Sequence, residues 1–156
     1  MSQIELQIMA ETPELPERAL MQRWVDGALG ERAANSSLTL RFVDELESAE
    51  LNLRYRHKEG STNILSFPFE APPELADGYL GDLVICVPLV LAQARQQGKT
   101  FEQHCAHLIV HGVLHLLGYD HQTPEQAEVM EALEIALLHQ WQIPNPYHER
   151  LSHDES

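Results

Sequence analysis

Cysteine is nearly absent: Cys86 and Cys105 are the only 2 in 156 residues. That excludes a disulfide framework and makes a reducing cytoplasm the expected compartment. Basic residues are scarce as well, 10 Lys and Arg against 24 Asp and Glu, for a formal net charge of -14. So acidic a chain is repelled by polyanions at short range, which excludes broad, sequence-blind adhesion to nucleic acid and leaves DNA an unexpected partner. No apolar run approaches the length of a membrane span, and Met1-Ser2-Gln3-Ile4-Glu5 has neither the basic start nor the apolar core of a signal peptide. No membrane partner is expected. Repeats and low-complexity segments are lacking too. What is present, 156 residues with 44% hydrophobic side chains, suits one compact domain, expected over 1–146, with a polar, loose tail over 147–156.

Hydrophobic periodicity divides this domain into four strands and five helices. Ile4, Leu6 and Ile8 alternate as a half-buried strand does. Pro16 is placed at the first turn of a helix whose stripe of Leu20, Met21, Trp24, Val25, Ala28 and Leu29 ends at Gly30. Leu38 to Val43 reads as a second strand. Asp44 with Glu47 opens a helix in the manner of a capping box, with Leu46, Ala49 and Leu53 as its expected inner face. Ser61 to Phe69 is strand-like, Glu70 to Tyr79 a loop long enough to be a flap, and Leu80 to Val87 a buried strand. Pro88 starts a helix that runs to Gly98, Thr100 with Gln103 caps the next, and Thr123-Pro124 with Gln126 caps the last, to about Gln140. On that last helix Glu125, Glu128, Glu131 and Glu134 read as a solvated acidic face.

The helix after Thr100 carries the chemistry. His111 and His115 stand four apart, so both imidazoles project from one side, about 6 Å apart along the axis. Gly118 ends the helix by a left-handed turn, and His121 follows three residues later. Three neutral imidazoles with no fourth ligand describe a catalytic zinc site, in which one position stays open for water. Such an ion supplies hydroxide at neutral pH and polarises a carbonyl or phosphoryl oxygen, which is hydrolytic chemistry. His107, one turn before His111, is given a supporting role. The helix is apolar almost all round and therefore belongs in the middle of the domain.

One more absence narrows the substrate. In the protease pattern His-Glu-x-x-His the Glu is the general base, and here Gly112 takes its place. A glycine moves no proton, which counts against peptide hydrolysis. A phosphodiester needs a cation for its developing charge, and the one basic island, Arg54, Arg56 and Lys58, offers it, although a solvated helix end is the commoner meaning of such a cluster.

The block from His111 to His121, His-Gly-Val-Leu-His-Leu-Leu-Gly-Tyr-Asp-His, resembles the signature of the YbeY family of bacterial endoribonucleases, also called rRNA maturation factors. Leu51 to Arg56, Thr62 to Pro68 and Leu80 to Ile85 are similar to that family's other blocks, in the same order. The resemblance implies an α+β fold, a small mixed sheet packed with about five helices around a central, metzincin-like zinc helix. It implies cleavage of single-stranded RNA, with roles in 16S rRNA 3′-end maturation and ribosome quality control beside the small subunit and its proteins. Carried over by position, His111, His115 and His121 hold one zinc ion and Arg56 is the family's functional arginine, with Arg54 and Lys58 left as candidate RNA contacts. Asn63 replaces the Asp of the family's Thr-Asp-Val-Leu-Ser-Phe-Pro block, so no acid or base is assigned there. The alternatives are a zinc peptidase or amidase, and a ribosome-assembly adaptor whose zinc is structural.

Overall fold

The computed structural model describes residues 1–70 and 77–147. Most of the expected flap between Glu70 and Tyr79 thus lies outside the described residues, as does the tail from 148 on, with His148 and His153. Along the chain run β1 (Gln3–Ile8), α1 (Arg18–Leu29), a 3-10 turn (Gly30–Asn35), β2 (Ser37–Val43), α2 (Glu45–Arg56), β3 (Ile64–Pro68), β4 (Tyr79–Cys86), α3 (Val87–Gln96), α4 (Phe101–Leu116) and α5 (Pro124–Gln140). The fold is α+β, as the sequence leads one to expect.

The sheet has the order β1-β2-β4-β3, with β1, β2 and β4 parallel and β3 antiparallel on β4. Of the two inner strands, β4 is buried on both faces through the continuous run Leu83, Val84, Ile85 and Cys86, whereas β2 alternates, with Leu38, Leu40 and Phe42 on the core side and Thr39 and Arg41 on the other. β3 is an edge strand and ends on Pro68, a residue that supplies no ladder N–H and so belongs at an edge. One face packs on α1 and α4 through Trp24, Val25, Phe42, Ile85, Ile109 and Val113. The other carries the small cluster of Val43, Leu65 and Val84, with Leu51 and Phe67 packed against it. α4 touches α1, α3, α5, β3 and β4, and is the central element.

Three local expectations are corrected. Pro16 lies before the helix rather than in its first turn, because Glu17 is the N-cap of α1. Asp44 caps α2, accepting from the Glu47 N–H at 2.9 Å, but the reciprocal bond of a capping box is missing. The Glu47 carboxylate has turned to the Arg41 guanidinium, at 2.5 and 3.1 Å. The inner face of α2 is also different: Leu46 and Leu53 are 71% and 56% exposed, while Ser48 and Asn52 are buried. Those two polar side chains face inward because the following loop needs them. Ser48 Oγ donates to the Thr62 carbonyl and accepts from its N–H, and Asn52 Nδ2 donates to the Gly60 carbonyl at 2.8 Å. The buried Ser48 and Asn52 side chains thus pair the backbone of the loop at residues 60 and 62.

Candidate metal centre

α4 begins with the expected capping box: the Gln103 N–H donates to Thr100 Oγ1 at 3.0 Å, and the Thr100 N–H to Gln103 Oε1 at 3.2 Å. Sixteen residues later the helix stops. Gly118 takes a φ of +103°, a backbone conformation that side chains disfavour, while its N–H bonds the His115 carbonyl and that of Tyr119 the Leu114 carbonyl. The chain turns back over its own last turn, and Asp120 Oδ1 then accepts from the His121 N–H at 2.7 Å. His121 is thereby returned to the side of the helix that presents His111 and His115.

The three imidazoles meet. Their ring centroids are 5.1 Å apart for His111 and His115, 5.5 Å for His111 and His121, and 5.0 Å for His115 and His121. One nitrogen from each lies within 4.8 Å of the other two. Three imidazoles bound tetrahedrally at about 2.0 to 2.1 Å would place their centroids about 5.3 Å apart, so the rings already stand at the right spread. The donor set fits a metal ion. Burial lowers the His115 pKa, and its two histidine neighbours lower it further, which keeps this ring a neutral donor. Gly112 points the other way: a Cβ there would lie 2.7 and 2.9 Å from the two Leu83 methyls and 3.0 Å from Ile64 Cδ1. The position occupied by Glu in the protease pattern is turned into the core against β4.

Behind the three rings lies a carboxylate that pattern reading placed in solvent. Glu134 is 0% exposed. Glu125 and Glu128 of the same stripe are exposed, but nine residues at 100° each carry Glu134 half a turn round α5 from Glu125, into the buried row of Met130, Glu134 and Leu138. There Glu134 Oε1 accepts from His107 Nε2 at 2.8 Å and from the Tyr147 hydroxyl at 2.8 Å, and Oε2 accepts from His111 Nδ1 at 3.2 Å. Burial alone would raise its pKa; the bonds from His107 and His111 outweigh that and hold it down to about 2. His107, Glu134 and His111 themselves form a second group close enough to hold a metal. The only sequence signal for Glu134 was the drift of a three-residue spacing around a helix.

The three rings open into a cleft of about 820 Å³ between α2, β3 and the turn after α4. Arg56, the last residue of α2, lines it together with Tyr55, Asn63, Phe67, Asp120 and the three histidines. Of the other two basic candidates, Arg54 faces a separate surface depression with Leu46, Glu47 and Glu50, and Lys58 is exposed outside the cleft lining. Asn63 is held in place, its Nδ2 donating to Gln93 Oε1 at 3.1 Å and its Oδ1 accepting from the Ile64 N–H at 2.7 Å. An uncharged amide so engaged moves no proton.

An α+β domain whose central helix presents three histidines to an open cleft defines the class: a domain with a candidate metal centre of the hydrolytic type. Residues 5–142 match the model of the family described as Endoribonuclease YbeY. The Endoribonuclease YbeY of Pseudomonas syringae pv. tomato is 50% identical over 155 residues, covering 99% of this chain and 93% of that one. The protein of the same name from Pseudomonas entomophila is 52% identical over 148 residues, 94% of each. The chain belongs to the YbeY family. Its fold is similar to the solution structure of TM1509 from Thermotoga maritima, with a TM-score of 0.56 and 24% identity, over 88% of this chain and 91% of that one.

Proposed function

We propose that this protein is a metal-dependent endoribonuclease that cuts single-stranded RNA, acting in the cytoplasm on the 3′ end of 16S rRNA and in ribosome quality control, beside the small subunit and its proteins. The observation that carries this reading is that Arg56 and three convergent imidazoles line one open cleft in a chain of the endoribonuclease family. His111, His115 and His121 would hold a zinc ion, which when bound supplies a Lewis acid and an activated water.

The rest falls to the chain itself. The Arg56 guanidinium presents a planar fork to the equatorial phosphoryl oxygens, where charge grows as the bond to the leaving oxygen breaks. Tyr55 stands beside it, 57% exposed, its ring 5.3 Å from that of Phe67 and edge-on to it. An unpaired base can stack on such a wall and a paired one cannot, which supports the preference for single strands. Arg54 and Lys58 lie outside this wall and would contact only RNA that extends beyond the cleft. The peptidase alternative lacks its base, because position 112 is packed into the core against Leu83.

The test is cleavage of a labelled single-stranded RNA by zinc-loaded protein beside His115→Ala protein purified identically. Cleavage by the first alone is expected. Cleavage of an unfolded protein but not RNA would replace this reading with the peptidase; a folded His115→Ala protein that still supports ribosome maturation would replace it with the adaptor.

A further inference from the structure

We infer that Glu134 is a positioning residue for the metal centre: by accepting the Nδ1 proton of His111 it fixes the tautomer whose Nε2 lone pair faces His115 and His121. The inference rests on the function proposed above, in which those three histidines hold the ion.

A neutral imidazole has one N–H and one lone pair, and whichever nitrogen donates a hydrogen bond leaves the other free to bind metal. An ionised carboxylate offers acceptors only. Glu134 Oε2, 3.2 Å from His111 Nδ1, therefore requires the proton on Nδ1, and with His111 Nδ1 so engaged the nitrogen left for the three-histidine group is Nε2. The other oxygen is saturated by His107 Nε2 and the Tyr147 hydroxyl, and the residue is wholly buried, so no water substitutes for it. His107 obeys the same rule: its Nε2 donates and its buried Nδ1 has no hydrogen-bond partner among the described residues. The carboxylate sits on α5 and both rings on α4, so the bond also fixes how the ring is rotated relative to a second helix. A buried carboxylate on a ligating imidazole in this way sets ring orientation and raises ligand basicity.

The experiment has two parts, both on the full chain. In metal-free wild type, long-range proton–nitrogen NMR of the histidine rings should show His111 protonated on Nδ1 and not on Nε2. In Glu134→Gln, whose amide NH₂ can donate to His111 Nδ1, the ring should switch to the Nε2–H form, and zinc affinity measured against a chromophoric chelator should fall about 10- to 100-fold. A wild-type ring protonated on Nε2 would overturn the inference without any variant. So would a folded Glu134→Gln protein with unchanged affinity and tautomer, which would leave Glu134 a packing residue. Two zinc ions per wild-type chain, falling to one in the variant, would overturn it in favour of a second ion held by His107, His111 and Glu134. Wild type that takes up no zinc at all would remove the metal reading itself, a distinct result from any change confined to the variant.

Discussion

Leu83 of β4 and Gly112 of α4 touch where any larger residue than glycine would collide: a Cβ on Gly112 would approach the Leu83 methyls to 2.7 and 2.9 Å. The helix that carries the histidines is thus seated directly on the sheet, and its height above the cleft is set by this contact.

Gly112→Ala should therefore destabilise, even though alanine is favoured over glycine in a helix by about 1 kcal/mol. Leu83 is 0% exposed and has nowhere to move, and overpacking of that kind costs about 1 to 3 kcal/mol. The expected net loss is up to about 2 kcal/mol, a fall in Tm of up to about 8 °C for a chain of this size. A Tm that rises would show that the sheet yields.

His104 should make the fold acid-sensitive. It is 4% exposed, and burial holds its pKa down to about 4, with Lys99 and His107 adding to the effect. Its folded pKa is lower than the unfolded value of about 6.5, so below about pH 6.5 the unfolded chain takes a proton that the folded one refuses. Stability is full above pH 6.5 and should drop by about 3 kcal/mol as the pH falls to 4. Denaturant titrations across that range should show the loss, and His104→Gln should flatten its slope. An equal slope in the variant would assign the loss to other groups.

Tyr55→Ala should raise KM for single-stranded RNA by about 5- to 150-fold, in line with about 1 to 3 kcal/mol for one stacked base, and should change kcat little. Tyr55→Phe should restore KM. Equal KM values in all three proteins would remove the stacking wall.

Ser48→Ala should cost about 0.5 to 1.5 kcal/mol, because it removes both hydrogen bonds that the half-buried backbone of Thr62 makes with the Ser48 hydroxyl. Thr62 and Asn63 line the cleft, so kcat/KM should fall along with stability, measured at a temperature where the variant is still folded.

Removal of metal by a chelator should lower Tm, and zinc should restore it. Zinc at 1,000 times its Kd would add about 4 kcal/mol to the stability of the folded state. In His115→Ala protein the chelator should change Tm little; a full shift there would place the ion elsewhere.

The histidine triad was legible because its members lie within eleven residues and their geometry depends only on helical pitch and one glycine turn. Local rules suffice for such a site. Glu134 was not legible, since an acidic stripe on an otherwise amphipathic helix reads as solvent-facing until the partner helix is known. The inner face of α2 failed for a related reason. Leu46 and Leu53 obeyed the apolar rule, but Ser48 and Asn52 were drawn inward by loop carbonyls at residues 60 and 62 that no helical pattern contains. Arg56 was legible as part of a basic cluster, yet two residues at 100° each turn Arg54 to another face of α2, and Lys58 lies past the left-handed turn at His57, so the cluster does not act as one patch.

The parallel pairing of β1 with β2 and of β2 with β4 sets an order of events. Leu40 pairs with Leu6 on one side and with Leu83 on the other, partners 34 and 43 positions away. Neither ladder can close by a local hairpin; each waits for the intervening helix to swing across, and loop closure of that length is slow. Among the described strands the antiparallel β3–β4 pair is closest in sequence, Pro68 and Tyr79 bounding the connection, so it is the natural seed. Newly synthesised chains should therefore pass through a stage in which that pair is formed and β2 still lacks neighbours, and at this stage, before the histidine helix has a sheet to rest on, crowded molecules are at greatest risk of sticking to one another.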